Sequence, residues 1–146
     1  MLGLSLSVAQ YGSFVVSVIA LAILLAAGKT PERVAAATLT CLMFASPYLA
    51  RDAPVANASA SGLALVILVV LALRYDRWWL IGAAGFQLGV FSTHFATLII
   101  PHERIWSTVT LRLILWEGLM ALCLFAIGES RWASYANSAL RIKRSE

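Results

Sequence analysis

Five apolar runs, each close to the ~20 residues that an α-helix needs to cross ~30 Å of hydrocarbon, take up most of this 146-residue chain. In lipid every backbone amide and carbonyl has to be satisfied inside the spanning structure, which leaves helices as the element for runs of this length. Charged residues make up 12% of the chain and hydrophobic ones 61%, against about 25% charged in a soluble domain. The expected fold is therefore all-α. It is a polytopic integral membrane protein with five transmembrane helices, over about residues 4–27, 31–50, 55–73, 79–100 and 105–128. Residues 129–146 remain as a basic tail.

Local chemistry sets these boundaries. No basic residue precedes the first run, as the n-region of a signal peptide would require, so it reads as a retained helix. Gly28 and Lys29 end it. Thr30-Pro31-Glu32 then offers a hydroxyl cap, proline at the first helical position and an acid at the positive end of the helix dipole. Ala37, Cys41 and Ala45 repeat every four residues and make a small seam that lets another backbone approach. Pro47 is placed to kink the second helix. The segment VANASASG from Val55 is mildly apolar, so a four-helix chain lacking the third span is the alternative. Pro101 closes the fourth helix. In the tail, Trp132, Tyr135, Ala136, Ala139 and Leu140 follow helical spacing among basic residues, the pattern of an amphipathic interfacial helix.

Orientation follows the excess of Lys and Arg in cytoplasmic loops. Five spans with the N-terminus outside and the C-terminus cytoplasmic place Lys29, Arg33, Arg74, Arg77, Arg131, Arg141, Lys143 and Arg144 inside, against Arg51, Arg104 and Arg112, a division of eight to three. Omitting the third helix lowers it to seven to four. The excess gathered in the tail suits an anionic leaflet, not nucleic acid.

The fourth run carries the densest chemistry. On a helical wheel Gly82, Gly85, Gly89 and Thr93 share one arc, a close-packing face within the chain or between copies, while Gln87 and His94 share the other. Both faces want protein, which predicts a central place for this helix. The fifth run contains Arg112 and Glu117, and an ionisable group inside a span is a functional-site hypothesis by default. If the two helices are antiparallel, Arg112 and His94 lie at one level, ~6 Å outward of the midplane at ~1.5 Å per residue. Glu117 lies between the levels of Gln87 and His94. Three roles stay open for this polar set: an interhelical hydrogen-bond network with Arg112 reaching toward the headgroups, a proton relay or ligand pocket using His94 and Glu117, or a pigment or haem on His94. Arg74, Arg77, Trp78 and Trp79 form an interfacial belt with basic anchors, open to lipid headgroups.

No nucleophile elbow, phosphate loop or zinc-protease motif occurs. Cys41 and Cys123 lack a Cys-x-x-Cys companion, so neither a zinc site nor a disulfide framework is suggested. No catalytic residue, metal or required cofactor is expected. The segment RYDRWW followed by GAAGFQLGVFSTH, residues 74–94, resembles small polytopic bacterial inner-membrane proteins, a resemblance that brings no assigned activity. It differs from small multidrug transporters, four-helix proteins with a key glutamate in the first helix, since this first helix has no acid. The functional expectation is a non-catalytic accessory subunit of a larger bacterial inner-membrane complex, respiratory or photosynthetic, with other membrane subunits or copies of itself as partners. The alternative is a small proton-coupled transporter or ligand-binding membrane protein using Glu117 and His94.

Overall fold

The computed structural model describes residues 2–99 and 105–132. Among them the chain forms five helices, α1 (Leu2–Ala27), α2 (Thr30–Asp52), α3 (Pro54–Tyr75), α4 (Trp78–Ile99) and α5 (Ile105–Trp132). Connections between the first four are minimal: Gly28 and Lys29, then Ala53, then Asp76 and Arg77. Proline starts both α2 and α3, where its missing amide costs nothing. Lys29, in extended backbone, is the N-cap of α2 and supplies no side-chain bond. Thr30 is already helical, so the expected hydroxyl cap is not formed. α2 continues through Pro47 to Asp52, and Asp76 ends α3 in the left-handed region at φ 43°, where a short polar side chain is tolerated. α3 is continuous from Pro54, through the mildly apolar start of the segment. α5 extends past residue 128 to Trp132; the rest of the expected amphipathic tail, residues 133–146, lies outside the described residues, as does the loop around Pro101.

The helices close into a ring. α1 packs on α2, α2 on α3, α3 on α4, α4 on α5 and α5 back on α1, with a smaller contact of α2 on α5. α4 is thus one stave with two neighbours, not the central helix its two protein-seeking faces predicted. The α4–α5 pairing is antiparallel: Gly82 meets Leu122, Gly118 meets Phe86 and Gly89 meets Leu115. Glycine on one helix receives a large side chain of the other, which lets the two helices pack closely. Gly85 has nothing within 4 Å of its missing side chain, so the expected Gly85/Gly89 pair faces two ways. The same packing places Gly62 of α3 against Phe91 of α4.

One half of the bundle is a dry core, in which Leu21 and Leu24 of α1, Leu39 of α2, Leu68 of α3, Leu80 of α4 and Leu119 of α5 are buried together. The outer surface is apolar as well, with Ile19, Val70, Leu73, Ile81, Leu88, Ile114 and Phe125 exposed. Polar Ser17, Asn57, Ser61, Gln87 and Thr93 are buried. Outward hydroxyls are satisfied within their own helices, as Thr38 donates to the Val34 carbonyl at 2.9 Å, Ser59 to that of Val55 at 2.9 Å and Ser92 to that of Leu88 at 2.8 Å. Gln10–Ala27, Pro54–Tyr75 and Ser107–Glu129 are long and apolar enough to cross a membrane.

A methyl group at Gly28 would lie 2.6 Å from Glu32 Cβ and overlap the Leu24 carbonyl, so Gly28→Ala should lower unfolding stability by about 1–3 kcal/mol, the usual cost of overpacking. Gly85→Ala, with open space in front of it, should leave thermal unfolding in detergent unchanged or shift it upward.

Candidate functional site

The half of the bundle opposite the dry core encloses a cavity of about 370 Å³. All five helices line it: Gln10 from α1, Ser46 and Pro47 from α2, Asn57 and Ser61 from α3, His94 from α4, and Arg112 and Trp116 from α5. Leu42, Met43, Val90 and Leu113 form the apolar part of the wall. Lining positions fall early in α1, α3 and α5 and late in α2 and α4, as alternating helix directions require. Arg112 lies seven residues from the start of α5, and Trp116 four further on, so the cavity runs ~10 to ~16 Å along that helix at ~1.5 Å per residue. The exposed Gln10 and Pro47 stand on its open side.

The polar groups are held by bonds between helices. Arg112 Nε donates to Thr93 Oγ1 at 2.9 Å, and Thr93, buried, passes its own proton to the Val90 carbonyl at 2.6 Å. This orients the guanidinium inside the bundle, where the sequence suggested that it reaches toward headgroups. Gln87 Nε2 donates to Ser61 at 3.1 Å, both to its carbonyl and to Oγ, which ties α4 to α3 beside the cavity. Trp116 Nε1 donates to Ser17 Oγ at 2.8 Å, and that hydroxyl donates to the Ser13 carbonyl at 2.8 Å. Ser13 Oγ in turn donates to Glu117 Oε1.

The structure brings His94 and Arg112 to one wall of the cavity, while the other members of the expected network, Gln87 and Glu117, turn to α3 and α1. Successive helical residues are ~100° apart. Gly118 and Leu115 face α4, which turns Glu117 toward α1. Phe86 and Gly89 face α5, which turns Gln87 toward α3. Thr93, read from sequence as a packing residue, is the acceptor for Arg112, while Gly82 and Gly89 contact α5 and Gly85 does not. Gln10, with Ser13 and Ser17, lies at helical spacing on the side of the first run expected to face neighbouring helices; sequence reasoning missed Ser46, Asn57 and Ser61, and the available signal was the weak apolarity of VANASASG, which supplies two of them.

The basic and aromatic cluster sits at the other end and is split. Trp78 is exposed and Arg74 is exposed, but Arg77 and Trp79 are buried, so an interfacial belt describes only the first pair. Here the buried Glu129 of α5 accepts from the Trp78 amide at 3.3 Å and from the Trp79 amide at 3.2 Å. It caps α4, which has no acid in its own first turn. Glu32 is also fully buried, and among the described residues its carboxylate has no hydrogen-bond partner. No group of three or more His, Cys, Asp or Glu side chains suited to a metal occurs among the described residues.

No family model, curated protein or solved structure matches the chain. Chemistry is therefore assigned from the geometry alone.

Loss of the cap should be measurable apart from the cavity: Glu129→Ala leaves two helix-terminal amides without their carboxylate and should cost about 1–3 kcal/mol, read by thermal unfolding in detergent. A double-mutant cycle on Gln87→Leu and Ser61→Ala should give a coupling of about 0.6–1.7 kcal/mol, the range for hydrogen bonds between membrane helices.

Proposed function

We propose that this is a polytopic protein of the bacterial inner membrane, crossing it five times with its N-terminus outside and C-terminus cytoplasmic, and that it binds a small ligand in its cavity without catalysing a reaction. The cavity carries this reading. A space of about 370 Å³ falls within the roughly 300–1,000 Å³ typical of small-molecule sites, and it pairs an apolar wall with a few held polar groups. Polar side chains are costly inside a membrane bundle, and Gln10, Ser46, Asn57, Ser61, His94 and Arg112 converge on this cavity from all five helices. The eight-to-three division of Lys and Arg supports the orientation and sets the cavity in the outer half. Transport across the bundle would need a second opening at the end now filled by Leu21, Leu24, Leu39 and Leu68, and Glu117, turned to Ser13, is not placed to exchange protons with His94. Binding is thus favoured over proton-coupled transport.

The test uses three probes of one carbon skeleton, phenylbutyrate, phenylbutanamide and phenylbutylamine, in equilibrium dialysis against protein in nanodiscs, with empty nanodiscs as the reference. At least one should bind wild type saturably and lose binding in Ser46→Phe, which fills the cavity, but not in Ser59→Phe, whose position is exposed. Absence of saturable binding by all three would overturn the reading.

An accessory subunit of a larger membrane complex is the second reading, favoured by the outward stripe of Trp78, Ile81, Gly85, Leu88, Ser92 and Phe95 on α4, all exposed, with its bare glycine at the middle. Gly85→Ile should then release a partner or a second copy on gentle extraction while leaving the thermal stability of the isolated chain unchanged. Retention of the same assembly would remove this face as the contact.

A further inference from the structure

We infer that the cavity selects a small monoanion with an apolar body, whose carboxylate or equivalent acidic group is taken by Arg112. This deepens the ligand-binding reading and rests on it. The guanidinium is fixed through Nε by Thr93, and its two terminal nitrogens form the other edge of the fork, the edge that a carboxylate takes in a bidentate pair. Thr93 holds that geometry because its own proton is committed to the Val90 carbonyl. The wall around Arg112 is rich in donors, from the amides of Gln10 and Asn57 and the hydroxyls of Ser46 and Ser61, and no carboxylate lines it among the described residues. Glu117 accepts from Ser13 outside the lining, and Glu32 and Glu129 belong to the opposite end, on the first turn of α2 and the last part of α5. An arginine kept within a membrane bundle with no acid beside it among the described residues gains most from an anion supplied by a ligand. Trp116 bounds the site at one end, anchored by its bond to Ser17, and with Leu42, Met43 and Val90 it offers an apolar surface to the remainder of the molecule. One arginine and one apolar wall fit one acidic group on one apolar body; among the described lining residues no second lysine or arginine stands ready for the second charge of a dianion.

The three-probe dialysis separates failure of the anion assignment from failure of the cavity as a binding site. Phenylbutyrate should bind at least about tenfold tighter than its amide and amine counterparts, as a charge-assisted pair worth more than a neutral one requires. Arg112→Gln should erase that preference, Arg112→Lys should retain part of it, and Thr93→Val, which frees the guanidinium without discharging it, should weaken phenylbutyrate while leaving phenylbutanamide unchanged. Should Arg112→Gln fail to fold, the Lys and Thr93 variants carry the same comparison. Equal binding of the amide or the amine, or a preference for phenylbutyrate that survives loss of Arg112, would overturn the anion assignment while the cavity stands as a binding site. Failure of all three probes to bind wild type would overturn both.

Discussion

Closure of the ring at the α1–α5 seam is the contact on which the rest of the bundle depends. Helices joined by short connections alternate in direction, and in a ring with an odd number of members alternation must fail once. Here it fails between α1 and α5, which run parallel and have no turn to join them. Specific bonds hold this seam. Trp116 donates to Ser17, and Ser13 donates to Glu117. Both acceptor and donor serines come from α1, where Ser13 and Ser17 lie one helical turn apart. Without the seam, α1 would hold to α2 alone, and the cavity would lose the wall that carries Gln10.

The cavity is a corollary of the same closure. Five staves around an axis leave more central room than four, and that room is filled differently along its length. Leucine and alanine fill it in one half. In the other half the facing residues are Ser46, Asn57, Ser61, His94 and Arg112, which are too short or too polar to pack it dry. The distribution inverts that of a soluble bundle, since polarity increases toward the inside and the outer face is the apolar one.

Much of the scaffold could be read from residues, because its causes are local. Apolar runs of helical length gave the five helices, and Gly28, Pro31, Pro54 and the Asp76-Arg77 pair interrupt or restart them where backbone chemistry demands. The site was legible only in its membership. A wheel shows that Gln87 and His94 share a face and that Arg112 and His94 share a level, but which neighbour meets a face is set by ring order, and ring order leaves no mark in a single sequence. So Glu117 was grouped with His94, although one residue of rotation past Gly118 sends it to α1. Ala37 and Cys41 were read as a seam that lets another backbone approach, yet they are exposed and line a groove with Ala60 and Ala64. Small residues permit contact and do not compel it. VANASASG looked only mildly apolar because it contains Asn57 and Ser61, and these face the interior.

The fit of Phe86 of α4 into the space left by Gly118 of α5 has a historical consequence. The two positions behave as one compound character: a side chain can appear at 118 only where the ring at 86 has already shrunk or turned away, and a larger group at 86 needs the glycine to persist. Drift along either helix is therefore gated by the other, and descendants of this sequence should carry the pair forward or replace it jointly.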